Sequence, residues 1–104
     1  MHGRIARYTY SGDALEISRT AEEGILPIFQ AMSGFKAYTI AANDDVLIST
    51  SAWESAEEAE EANKAAASWV AANLADKIQL VETQIGEILV GTALGVSTKA
   101  GVTA

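Results

Sequence analysis

The chain is predicted to fold as an α+β domain in the split βαβ, ferredoxin-like order βαββαβ, with two helices on one face of a four-stranded antiparallel sheet. Three observations predict it. Residues 2–10, 35–42, 46–53 and 80–90 carry the short, β-branched and aromatic runs expected of strands. Two stretches between them have capped, apolar-striped helical patterning. At the third point, Leu47 to Glu58, a strand runs straight into a helix start, because Ser55 is followed three positions later by Glu58. That spacing lets the serine hydroxyl accept from the third helical N–H while the glutamate reaches back to the serine N–H.

The elements follow in order. His2 to Tyr10 alternates, with Arg4, Ala6, Tyr8 and Tyr10 on one face and Gly3, Ile5, Arg7 and Thr9 on the other. Ser11-Gly12-Asp13 breaks this strand, and Asp13 with Glu16 repeats the capping pattern. The helix that follows turns Leu15, Ile25, Leu26, Ile28, Phe29 and Met32 inward. Pro27 removes a donor from its ladder, which predicts a kink or two short pieces near Gly24, and Gly34 ends it as a left-handed cap. Phe35 to Ala42 and Val46 to Trp53 pair as a hairpin across Asn43-Asp44-Asp45, a turn that lacks glycine. An alanine-dense helix is expected from Ala56 to about Lys77, with Ala59, Ala62, Ala66, Trp69, Val70, Asn73, Leu74 and Ile78 inward. Leu80 to Val90 is the last strand. Residues 1–91 thus make one domain, and 92–104 a tail that is either mobile or an extension of the sheet edge.

Composition narrows the classes. A chain of 104 residues, nearly half of them hydrophobic, has room for one core. A net charge of −7 with seven scattered basic residues argues against nucleic acid as partner. The acidic excess at Glu54, Glu57, Glu58, Glu60 and Glu61 matches a helix start, where the macrodipole favours negative charge. Without cysteine there is neither a disulfide framework nor a thiolate metal site, which fits a reducing cytoplasm. Neither a signal peptide nor a membrane-spanning run is expected. No metal is expected either, since Asp44-Asp45 reads as a plain turn. Phosphate-loop and nucleophile-elbow patterns are missing as well.

In the last strand Leu80, Ile88 and Val90 alternate against Val81, Ile85 and Leu89, so both sheet faces read as apolar. A sheet with helices on one side should be polar on the other. The reading is therefore a homodimer packed sheet to sheet, with Val81, Ile85 and Leu89 as interface candidates.

Gly34-Phe35 at the start of the second strand, Trp53-Glu54-Ser55 at the end of the third and Gly86-Glu87 in the last resemble the antibiotic-biosynthesis-monooxygenase-like domain, a branch of the dimeric α+β barrel proteins. The resemblance covers the chain up to Val90. It implies a dimeric α+β barrel and, in some members, cofactor-independent oxidation of a phenol or quinol bound between helices and sheet. A haem-degrading branch uses an Asn on the first strand and a Trp and His ten residues apart on the second helix. This chain has no such Asn, no such Trp, and His2 as its only imidazole, so haem degradation is not expected.

No cofactor is expected, and the ligand class implied is a bulky apolar or aromatic small molecule. Its pocket candidates are Tyr8, Phe29, Trp69 and Asn73. Trp69 and Asn73 stand four apart on one helical face, and Asn73 is an amide on an apolar stripe. It reads either as a donor to bound oxygen or as an amide satisfied by a backbone carbonyl. Trp69 and Trp53 read foremost as packing residues, the latter with its indole N–H on a backbone partner. Tyr38 supplies a second strand phenol. His2, beside the initiator Met, sits where fraying would spoil a general base. A non-catalytic binding module and a structural or stress-related dimer with a fully packed interior stand as alternatives. The alanines of the second helix fit either a close helix–sheet approach or an unfilled gap.

Overall fold

Alternation in the first strand is expressed directly as burial: Arg4, Ala6 and Tyr8 are buried while Ile5, Arg7 and Thr9 are exposed. The structure, a computed structural model, describes residues 1–99. Its elements are β1 (His2–Tyr10), α1 (Ala14–Gln30), β2 (Phe35–Ala42), β3 (Val46–Trp53), α2 (Ala56–Asn73) and β4 (Ile78–Glu87), with a 3-10 turn at Thr92–Leu94. The sheet is antiparallel in the order β2-β3-β1-β4, so β2 and β4 are its edges and both helices lie on one face. This is the ferredoxin-like arrangement.

The turns explain themselves locally. Asp13 caps α1 by accepting from Leu15 N at 2.9 Å. Ser55 caps α2 by accepting from Glu58 N at 3.2 Å. The return contact differs from expectation: the Glu58 carboxylate takes the Ser55 hydroxyl at 3.0 Å rather than its backbone N–H. Between β2 and β3 the Asn43 carboxamide replaces a glycine turn, accepting from Asp45 N at 2.9 Å and Val46 N at 2.8 Å. Gly34, at φ +78°, turns the chain out of α1 into β2.

Four expectations are corrected. α1 runs unbroken through Pro27, which sits exposed in the last turn, where water can reach the carbonyl left without a donor. Its buried stripe is Ile17, Ala21, Ile25 and Phe29, at strict four-residue spacing, whereas Leu15 and Ile28 are exposed. α2 stops at Asn73, because Leu74 leaves the helical region and its side chain plugs the core. β4 therefore begins at Ile78 and ends at Glu87.

The fourth correction concerns the face of β4. Arg7 pairs with Glu82 and Tyr8 with Leu80, leaving Val81 as the extra residue of a bulge. One added residue reverses the alternation. Ile85, opposite buried Arg4, thus lies on the helix side and packs against the core half-buried. The opposite face of β4 carries Glu82 and Gln84, opposite Arg7 and Ile5. Val81 and Leu89 are exposed. Beyond β4, Gly91 and Val96 bridge through two backbone hydrogen bonds of 2.9 and 3.0 Å. The last five residues of the expected tail, 100–104, lie outside the described residues.

Candidate functional site

The core comes in two parts. Phe29 is its aromatic centre, edge-on to Tyr38 at 5.3 Å and to Trp53 at 5.1 Å between ring centroids. Trp53 is fully buried, and its indole N–H donates to the Ser51 hydroxyl at 2.9 Å, a side chain rather than the backbone partner expected. Ala59, Ala62 and Ala66 press α2 onto this cluster and are themselves buried. The small residues of α2 therefore bring the helix close to the sheet. A second cluster holds Ala6, Tyr8, Ile17, Leu47, Leu74 and Ile78. The cavity beside it, lined by Tyr8, Tyr38, Ile40, Ser49 and Val70 among others, measures about 20 Å³. That is room for about one water molecule and no ligand.

Space for a ligand lies next door, between α1 and edge strand β2. A groove of about 690 Å³ is lined by Leu15, Ser18, Arg19, Glu22 and Leu26 from α1 and by Phe35, Ala37, Tyr38 and Ile40 from β2. The α1 residues fall at helical spacing on one face, beside the buried stripe. The exposure of Leu15 thereby acquires a place: it walls the groove. Arg19 and Glu22 give the rim both signs of charge. Ser18, Tyr38 and Ile40 line both groove and inner cavity, so they form the partition between them. Burial holds the Tyr38 phenol above the ordinary tyrosine range, with the Ser49 hydroxyl and then the Arg4 charge opposing that shift.

The expected pocket residues are dispersed. Tyr8 lines the small inner cavity, and Phe29 is core. Trp69 is half-buried and lies over Gly24, between the helices. Asn73 is exposed, and its amide donates to the Trp69 carbonyl one turn back at 2.8 Å, so it does not enter the interior. His2 is not at a frayed end: it pairs with Trp53 on one side and Glu87 on the other, and its Nδ1 is buried without a partner.

Sequence reasoning missed a polar row across the helix-facing side of the sheet. Arg4 of β1 stands opposite Ser51 of β3, which stands opposite Tyr38 of β2. Arg4 is only 2% exposed. Its Nε donates to Asn63 Oδ1 at 2.8 Å, its guanidinium carbon lies 6.0 Å from the centre of the Phe29 ring, and its Nη1 has no partner. The signal was present, since a charged residue on the apolar face of the first strand demands a polar partner from above. No cluster of three or more metal-ligating side chains occurs among the described residues. Nor is any helix there long and apolar enough to cross a membrane.

No family model matches the chain, and no curated protein matches it significantly. Solved structures do share its fold. SnoaB, a cofactor-independent oxygenase from Streptomyces nogalater, superposes with a TM-score of 0.67 at 16% identity, over 84% of this chain and 91% of its own. Rv0793 from Mycobacterium tuberculosis gives 0.64 at 14% identity, over 86% and 96%. A protein of Chloroflexus aurantiacus J-10-fl, provisionally assigned as an antibiotic biosynthesis monooxygenase, gives 0.60 at 21%, over 90% and 98%.

Proposed function

We propose that this chain, which has the fold of the antibiotic-biosynthesis-monooxygenase-like proteins, is a small homodimeric oxygenase that takes a bulky apolar or aromatic molecule without a prosthetic group. The observation that carries the reading is the groove between α1 and β2, whose volume of about 690 Å³ falls in the range of small-molecule sites. Leu15, Leu26, Phe35 and Ile40 offer it an apolar wall, and Tyr38 offers a phenol at the floor. Oxidation of a methylene flanked by aromatic rings would put one atom of dioxygen into a carbonyl and release the other as water. We place the protein in the cytoplasm, which suits a chain without cysteine.

The sheet face away from the helices supports the homodimer. Gly3, Ile5, Thr39, Thr50, Ala52 and Ile88 line a trough of about 420 Å³ there, flanked by Val90 and Leu94. A second copy of the same face is the occupant that needs no further molecule.

Anthrone tests the reading through two measurements, binding by fluorescence and oxygen uptake. Leu26→Trp, which fills the groove from α1, should abolish binding with the fold retained. Uptake in the wild type that the variant lacks supports the oxygenase. Binding without uptake favours the second reading, a non-catalytic binding module. Absence of binding favours a structural dimer, a reading that the closed interior of about 20 Å³ also supports.

A further inference from the structure

We infer that Glu22 is the catalytic base of this groove and that Arg19, one turn before it on α1, holds the oxyanion the base creates. The substrate is then a carbon acid, an aromatic ketone with an activated methylene. The inference rests on the oxygenase reading and adds the proton-transfer step to it.

The chemistry sets the demand. Dioxygen reacts slowly with a neutral closed-shell molecule and readily with its carbanion. Without a prosthetic group to activate the oxygen, the organic partner has to be made electron-rich, so a proton must leave carbon first. A positioned base does this. Of the nine residues that line the groove, Glu22 alone is a proton acceptor at neutral pH. The hydroxyls of Ser18 and Tyr38 are neutral there, and Arg19 is a fixed cation.

Placement agrees with that role. Ser18, Glu22 and Leu26, four apart on α1, share one helical face, so Glu22 stands in the middle of that wall. Neither Glu22 nor Arg19 is engaged elsewhere: the ion pairs among the described residues are Arg7–Glu82, Lys36–Glu54 and Lys64–Glu61. Spaced three apart, the two side chains are neighbours, with about 5–6 Å between their Cβ atoms. That suits a base at the methylene and a cation at the carbonyl across the same ring. Both groups are exposed in the empty groove. An aromatic body lying on Leu15, Leu26 and Phe35 would displace their water, raising the proton affinity of the carboxylate and the pull of the guanidinium on an enolate.

With anthrone as substrate, Glu22 takes one methylene proton, and the electron pair left on carbon spreads to the carbonyl oxygen held by Arg19. Dioxygen, the co-substrate, accepts that pair as the carbon–oxygen bond forms, and the peroxide anion recovers the proton from Glu22. Glu22 then removes the second methylene proton. That C–H pair becomes the new carbonyl bond, the O–O bond breaks, and the departing hydroxide takes the proton from Glu22 as water. The methylene is oxidised to a ketone, and one oxygen atom is reduced to water.

Anthrone deuterated at the methylene, mixed with the full chain under nitrogen, isolates the first step. Loss of deuterium to solvent is followed by NMR, and binding by fluorescence. The wild type should exchange about a hundredfold faster than buffer. Glu22→Gln should fall to the buffer rate while anthrone still binds, and Glu22→Asp should keep part of the rate. Glu23→Gln, beside it in sequence but off the groove, should change nothing. Arg19→Gln should slow exchange about tenfold with binding retained. Bound anthrone that exchanges at the buffer rate in the wild type overturns the assignment and spares the groove. So does fast exchange that survives Glu22→Gln or is lost in Glu23→Gln. An unchanged rate in Arg19→Gln overturns the part given to Arg19. Fast, Glu22-dependent exchange without oxygen uptake in air supports the base and overturns the oxygenase. Failure of anthrone to bind overturns the groove and the assignment together.

Discussion

Tyr38 is a phenol held at the boundary between an open groove and a closed interior, and its ionisation is coupled to folding. Burial favours the neutral form and raises its pKa above the ordinary value of 10.0, against the pull of Ser49 and Arg4. In the unfolded chain the same phenol ionises at its ordinary value. Above that pH the unfolded state sheds a proton that the folded state keeps, so stability falls as pH rises through the interval between the two values. Below it the contribution is constant. Replacing Tyr38 with Phe should therefore leave the urea midpoint less sensitive to alkali: the wild type loses more between pH 8 and pH 10.5 than the variant does. Parallel losses in the two proteins would place Tyr38 in water. At this scale the sequence was only half legible. It singled out Asn73, because an amide on an apolar stripe is conspicuous, yet the stripe ends before that residue. The amide that matters for the interior is Asn63, on the flank of the Ala59, Ala62 and Ala66 stripe, and only the position of Arg4 beneath it reveals its task.

Helix packing turns on one close approach that residue types alone do not announce. A Cβ built on Gly24 would fall within the van der Waals shell of the Trp69 indole, so α1 meets α2 through a glycine face and a flat ring. Gly24→Ala gains about 1 kcal/mol of helix propensity. Overpacking against the indole costs about 1–3 kcal/mol. The net change should be a loss of stability, read as a lower denaturation midpoint. With Trp69→Ala as background the clash is gone, and the same Gly24→Ala change should be neutral or stabilising. If Gly24→Ala stabilises both backgrounds equally, the contact is not tight. Gly24 and Pro27 together suggested a broken helix in the sequence, and the fold answers each differently: the glycine accommodates Trp69, and the proline lies toward solvent in the final turn. Element order, the spans of β1, β2 and β3 and both caps were readable because they depend on short-range pattern. The end of α2 was not, because Ala and Leu favour helix right up to the point where Leu74 is needed as a plug.

For the molecule as a whole, the sheet's uncovered side decides whether one copy suffices. The sequence located grease on both faces of β4, and a single bulge at Val81 overturned the assignment by moving Ile85 beneath the helices. The apolar surface survives the correction but shifts to the centre of the sheet, where Ile5 is 49% exposed and Ile48 36% exposed. The two isoleucines therefore make opposite predictions. In Ile5→Lys the new charge stands on the proposed interface in each copy, so like charges meet across the two-fold axis and the protein should sediment as a monomer with its fold intact. In Ile85→Lys the ammonium enters a half-buried site beside Arg4, a cation already without a counter-ion. That variant should lose folding stability, with any change in association secondary to unfolding. Sedimentation velocity with circular dichroism on both variants separates the cases. A folded monomer from Ile85→Lys, or an undisturbed dimer from Ile5→Lys, would mean that two copies do not meet through the centre of the sheet.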